Sequence, residues 1–355
     1  MFANTLKVPS AHLGFNLCWA LPRGAFTVEC APSLSQGHRA VSLSSKFCHV
    51  IWQQKWIPRQ IGRMAYKRMA KDGAAPAHAF TTDFFGLTYQ GNLSNNIDFN
   101  IYYYGAFEKP LLYFLRDTMT RLAPEHPVFI DVGANVGQHS LFMAAHGCHV
   151  HSFEPFDKVR ERLQLQVTNN KLQDLHVHPV GLSNENAKLP FFAPTGRNVG
   201  IGSFDASTIS KGNVSIGELE LVKGDDYFKA HGINRMDIVK IDVEGFEKPA
   251  LRGLHETLQS MRPVVVCEIT YGKPLSFNSM TELVAHLPDG YVLLTFDKRK
   301  EDGSKARRRD AKGRHTGDYR IVPYRGLLES GQDDVIACPK EKLDFLPRAN
   351  VGASR

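Results

Sequence analysis

The stretch from Val128 to Glu154, VFIDVGANVGQHSLFMAAHGCHVHSFE, leaves this chain few folds to choose from. Val128-Phe129-Ile130 is a short apolar run that ends on Asp131, and the turn Gly133-Ala-Asn-Val-Gly137 follows at once. Leu141, Phe142, Ala144 and Ala145 then recur at helical spacing, Gly147 stops the helix, and a second apolar strand ends on Glu154. Strand, glycine turn, helix and strand in that order make half of a mononucleotide-binding α/β unit, with a carboxylate at the tip of each strand.

The turn restricts the ligand. Gly133 and Gly137 lack a Cβ, so the chain turns tightly and its bare backbone can lie against a bound molecule. The spacing is G-x-x-x-G, whereas a dinucleotide fold seats its pyrophosphate on G-x-G-x-x-G. Asp131 at the strand tip repels a phosphate but suits a cationic or hydroxyl-bearing ligand. S-adenosylmethionine (SAM) offers an ammonium, a sulfonium and a ribose diol, and Glu154 is placed to accept from that diol. Asp131, Gly133, Asn135, Gly137 and Glu154 are the expected cofactor residues. The plain alternative is a strand-turn-helix in which Asn135 only caps.

Three motifs sharpen the reading: DVGANVG at 131–137, FEP at 153–155 and KIDVEG at 240–245. Together they resemble the FkbM family of SAM-dependent methyltransferases, from about Gly105 to Thr270, roughly half of the chain. The resemblance implies a class I, Rossmann-like α/β fold, with a seven-stranded sheet flanked by helices over residues 80–346. Residues 1–79 would be a basic N-terminal extension and 347–355 a tail. It also implies SAM as cofactor and O-methylation of a hydroxyl on a sugar, glycan, glycolipid or secondary metabolite. The alternatives are an RNA or protein methyltransferase on the same fold, or a SAM-binding protein without activity. Ser183, after the third strand, would lie near the adenine; relatives often carry Asp beside it, where this chain has Asn184.

For removal of the hydroxyl proton, Asp242 and Glu244 stand at the end of the strand MDIVKI, where open α/β sheets build their sites. They could equally hold the methionine part of SAM or cap the helix expected over 246–259. His139, just after the glycine turn, is a third candidate base, because a helix N-terminus lowers a histidine pKa.

Charge argues against nucleic acid as the partner. The net charge is +7, but residues 1–80 hold ten Lys/Arg and two acids, so the other 275 residues sum to −1. The run from Asp297 to Arg314 has nine bases and four acids, and reads as a solvated loop that could contact a polyanion. Residues 48–71 set Trp52, Trp56, Ile57, Ile61, Met64 and Ala65 among Arg and Lys: a basic amphipathic segment, broken at Pro58, that either packs on its own domain or lies on an anionic membrane. Residues 1–47 show no clean periodicity; they read as a tail, an acid-poor leader, or sequence upstream of a true start at Met64.

The six cysteines include no C-x-x-C pair, so neither zinc nor a disulfide frame is indicated; Cys148, Cys267 and Cys338 lie in apolar runs. No metal site is expected. With no apolar run of about 20 residues, the protein is expected to be cytoplasmic or membrane-peripheral. The oligomeric state and the acceptor are not legible.

Overall fold

The computed structural model describes residues 42–194 and 202–350. The leader, most of the Gly196–Ser203 loop and the last five residues lie outside them. Helices α1 (Leu43–Gln53) and α2 (Arg59–Lys71) meet at Pro58. Strands β1 (Ala79–Phe84) and β2 (Leu87–Asn92) form a hairpin around Phe85-Gly86, both in the left-handed region.

Residues 101–104, whose run Ile-Tyr-Tyr-Tyr predicts a strand from propensity alone, belong to helix α3 (Asn96–Tyr104). The Asn95 side chain caps it by accepting from the amides of Ile97 and Asp98, and Gly105 closes it at φ 85°. End chemistry thus outweighs the strand propensity of Ile101-Tyr102-Tyr103. Helix α4 (Lys109–Leu122) buries Leu111, Leu112, Leu115 and Met119, the face its spacing predicts.

The nucleotide-type unit follows: β3 (Val128–Val132), α5 (Gln138–Ala145), β4 (His149–Phe153), α6 (Asp157–Asn169) and β5 (Leu175–His178). Next come β6 (Gly181–Ser183), β7 (Ala187–Pro194), β8 (Asn213–Lys223), α7 (Gly224–Ala230) and β9 (Ile238–Ile241). The helix expected over 246–259 is two short helices, α8 (Glu247–Gly253) and α9 (His255–Met261). The chain continues through β10 (Val264–Tyr271), α10 (Met280–Ala285), β11 (Tyr291–Phe296), α11 (Arg307–Thr316), β12 (Tyr319–Pro323), β13 (Gly331–Pro339) and β14 (Ala349–Asn350).

The main sheet has nine strands rather than seven, in the order β14-β12-β11-β13-β10-β9-β3-β4-β5. From β10 to β5 all pairs are parallel, and β13 enters antiparallel between β10 and β11. The two additional strands, β12 and β14, extend the edge beyond β11; β14 takes two residues from the segment read as a tail. Strands β6, β8 and β7 form a separate small sheet.

The β3 side chains alternate between two cores. Phe129 joins Phe114, Phe142 and Leu163 on one face, while Val128, Ile130 and Val132 join Val239, Leu251 and Val265 on the other. Burying each such side chain contributes roughly 1.5–3 kcal/mol. Double-sided burial explains why β3, β9 and β10 are mostly apolar, with Asp131, Lys240 and Glu268 as the charged exceptions. Because β4 lies on one side of β3 and β9 on the other, the strand order reverses at β3, and a crevice opens at the carboxyl ends of these strands.

Tyr66 and Met69 of α2 are buried in the first of these cores. The segment 297–314 contains α11, and five of its nine bases are paired within the chain: Lys298 with Asp334, Arg299 with Asp333, Arg309 with Asp297, Lys312 with Asp318 and Arg314 with Asp310. Cys148, Cys267 and Cys338 are free thiols in the core. Among the described residues, no helix is long and apolar enough to cross a membrane.

Candidate active site at the switch point of the sheet

The glycine turn is held by contacts that leave no room for a side chain. Gly133 has φ 81°, and a Cβ there would lie 1.9 Å from the Asp242 carbonyl oxygen. A Cβ on Gly137, φ 83°, would lie 2.1 Å from Leu163 Cδ1. The amides of Gly133 and Ala134 both donate to the Phe153 carbonyl, which ties the turn to the end of β4.

Glu154 completes that tie. Its Oε2 accepts from the Asn135 amide at 2.8 Å and its Oε1 from the Phe156 amide at 2.9 Å. Asn135 itself sits at φ 53°, which Asn tolerates better than most residues. Both Glu154 oxygens are therefore fixed in direction, and each keeps a further lone pair for a ligand. Burial pushes the carboxyl up to about 7, against the two amide bonds that pull it down.

Asp131 has a different place from the one expected. It is fully buried beneath the turn and does not line the cavity. Ser140 Oγ donates to its Oδ2 at 2.6 Å, Ser152 Oγ donates to Ser140, and Lys240 Nζ lies 3.9 Å from its Oδ1. Its pKa is raised by burial and lowered in part by Lys240. Asp131 therefore braces α5 and Lys240 from beneath the turn. Gly137 also acts from outside the cavity, by opening α5. Ser183 is not brought to it: the residue is buried in β6, with its carbonyl where a Gly253 Cβ would fall.

The cavity, about 320 Å³, starts at the turn. One end is apolar: Phe156 and Phe191 lie 5.4 Å apart between ring centroids, Phe191 and Phe204 5.0 Å apart, and Val159 and Ile97 fill in beside them. The other end is acidic, lined by Glu108, Asp242, Glu244 and Glu268. Lys240 Nζ donates to Asp242 Oδ2 at 3.1 Å. Burial alone would drive Lys240 toward neutrality, but Asp242, Asp131 and Glu108 outweigh it and raise its pKa. Burial and then Asp242 raise Glu244 to about 7. The same two causes raise Glu268, which accepts from Gln332 Nε2 at 3.0 Å.

One oxygen from each of Asp242, Glu244 and Glu268 falls within 4.8 Å of the others, so this end has the donor set for a cation. His139 also lines the cavity; its Nε2 is 3.7 Å from Glu108 Oε2 and has no hydrogen-bond partner. Burial and Lys240 hold its pKa well below the usual value, so the imidazole is neutral.

The structure thus brings Asp242, Glu244 and His139, singled out from the sequence, into one cavity with Gly133, Asn135 and Glu154. Sequence reasoning missed Glu268, Gln332 and the phenylalanine wall, which come from separate strands and loops with no shared motif. Phe156 was in reach, directly after the FEP motif.

A mixed α/β sheet, parallel from β10 to β5, with a crevice at its switch point, a glycine turn and an acid closing the second strand, is a Rossmann-like fold of the class I methyltransferase type. Comparison with known proteins narrows this. Residues 131–293 match the methyltransferase FkbM domain. Over 147 residues the chain is 31% identical to the hexuronic acid methyltransferase AglP of Haloferax volcanii, an alignment covering 41% of this chain and 56% of that protein. Among solved structures it is similar to methyltransferase FkbM from Methylobacillus flagellatus (15% identity, 64% of this chain, 50% of that chain, TM-score 0.35). It is also similar to a SAM-dependent methyltransferase from Agrobacterium tumefaciens (11% identity, 74% of this chain, 70% of that chain, TM-score 0.38).

Proposed function

We propose that this protein is a SAM-dependent methyltransferase that methylates a hydroxyl group of a sugar or glycan. The observation that carries the reading is Glu154, a carboxylate at the tip of β4 aimed by two backbone amides beside a side-chain-free turn. That is the acceptor a ribose diol needs. The phenylalanine wall next to it suits a nucleobase, and the acidic end suits an ammonium and a sulfonium. The family of residues 131–293 agrees with this cofactor. The relative named for hexuronic acid supports a sugar as acceptor.

When bound, SAM supplies a methyl group on a sulfonium whose leaving group is a neutral thioether. The chain's part is to align, to exclude water and to take the hydroxyl proton. Alignment in a near-attack geometry contributes about 7–11 kcal/mol to such reactions, and a general base about 10²–10⁴-fold. Glu244, raised to about 7, has the affinity of a base working near neutral pH. His139 lies at the same end, but burial and Lys240 disfavour its protonated form and make it the weaker acceptor of the two. Lys240 holds the Asp242 carboxylate in place by donating to its Oδ2. A polyanionic acceptor is matched less well, because most bases of the 297–314 segment are committed to internal ion pairs.

Calorimetry with SAM and S-adenosylhomocysteine tests the reading. Binding in the micromolar range is expected, weakened about a hundredfold in Glu154→Ala. Equal affinity of the two proteins would remove the ribose assignment, and absence of binding to wild type would remove the function.

A further inference from the structure

Helix α1 has its polarity inverted. The side turned to the protein carries Ser45, whose hydroxyl donates to Asp72 at 2.7 Å, and Trp52, whose Nε1 donates to the Tyr103 hydroxyl at 3.0 Å. The opposite side carries Leu43, Phe47 and Val50, spaced four and three residues apart and 84%, 68% and 56% exposed. Trp56, in the turn to α2, is 80% exposed, and Ile61 and Met64 of α2 are exposed as well. Six of the twelve exposed large apolar side chains among the described residues thus fall between positions 43 and 64. An apolar concentration of this kind on a surface marks something to be covered.

The charge around it says what covers it. Residues 42–72 carry seven bases, Lys46, Lys55, Arg59, Arg63, Lys67, Arg68 and Lys71, against the single acid Asp72. Buried Tyr66 and Met69 fix one side of α2 in the core, which leaves Lys67, Arg68 and Lys71 exposed on the other. Arg59 and Arg63 lie over the rings of Tyr102 and Tyr104, 5.3 and 4.8 Å from the centroids. An apolar stripe bordered by cations, with a tryptophan at the turn, matches the headgroup boundary of an anionic bilayer: aliphatic and aromatic side chains enter the acyl edge while Lys and Arg meet the lipid phosphates.

We propose that the α1–α2 hairpin is a peripheral docking surface for anionic membranes. It needs no spanning helix, and it stands apart from the cavity under the glycine turn.

Co-sedimentation of the full chain with phosphatidylcholine vesicles, with and without phosphatidylglycerol, tests this. The protein is expected to pellet with the anionic vesicles and to be released by salt, as interfacial charge attraction requires. Two variants are compared: Phe47→Ser with Trp56→Ser, and Lys46→Glu with Lys55→Glu and Lys71→Glu. These residues are exposed, so both variants should keep the wild-type circular dichroism and melting temperature. Each is expected to bind the anionic vesicles roughly tenfold or more weakly. Sedimentation that is absent in wild type, or unchanged in both variants, overturns the proposal. Dimerisation of wild type that Phe47→Ser abolishes, without vesicle binding, also overturns it and gives the stripe to a second copy of the chain.

Discussion

Gly133 shows how little freedom the cofactor turn has. Two independent constraints act there: a left-handed φ and the Asp242 carbonyl 1.9 Å from any Cβ. Gly133→Ala is therefore expected to displace the tip of β9 along with the turn. The expected cost is about 1–3 kcal/mol in unfolding free energy, together with loss of SAM binding, read by denaturant titration and calorimetry. Gly147, at φ 81° with open space around it, supplies the contrast: Gly147→Ala should cost only the backbone strain, about 1 kcal/mol, and leave binding intact. Glycines that look alike in the motif stretch thus differ in consequence, and only the packing tells them apart.

Strands β4 and β5 carry a ladder of histidines at the parallel end of the sheet: His149, His151, His176 and His178. His151 and His178 are linked ring to ring at 3.0 Å, and His178 reaches the Tyr227 hydroxyl at 3.1 Å. Burial, followed by the neighbouring imidazoles, lowers His151 to about 3 and His178 to about 4. The unfolded chain takes up these protons first, near pH 6.5, so it binds more protons than the native state as the pH falls. The stability these groups contribute is whole above about pH 6.5 and is lost progressively toward pH 3–4. Replacing both by Asn should flatten the acid limb of a melting-temperature profile between pH 6.5 and 5; an unchanged slope would assign acid sensitivity elsewhere.

Elements also mark where the sequence was legible. Strand β3, the turn and Glu154 form one contiguous signal, and KIDVEG another, because local backbone geometry dictates their residues. Helix α3 was misread because its aromatic run carries strand propensity while its ends carry helix chemistry. Glu268 and Gln332 meet only because β13 inserts antiparallel beside β10, a pairing that no local pattern encodes. Likewise, the two-residue β14 is too short to carry a periodicity of its own and exists through its neighbour β12.

At the scale of the molecule, one hydrophobic core runs from Tyr66 and Met69 of α2 through Phe99, Phe114 and Phe142 to Cys338 of β13. Asp98, wholly buried, links the same layers: it accepts from the Tyr89 hydroxyl at 2.8 Å, the Asn92 amide at 2.6 Å and Arg162 of α6 at 2.6 Å. The helices ahead of the family-matched segment should therefore melt with the sheet. All three tryptophans, Trp19, Trp52 and Trp56, lie in the first 56 residues, so their fluorescence follows that part of the chain alone. Its thermal transition is expected to coincide with the far-ultraviolet circular dichroism of the whole molecule; an earlier fluorescence transition would make α1 and α2 a separate unit.

The cavity draws Glu108 and Ile97 from before residue 131 and Gln332 from after residue 293. A polypeptide trimmed to those limits would retain the glycine hinge and the KIDVEG tip, yet be left as a trough with two of its sides missing. The flanking sequence therefore builds part of both ends of the cavity: Ile97 at the apolar end, and Glu108 and Gln332 at the acidic end.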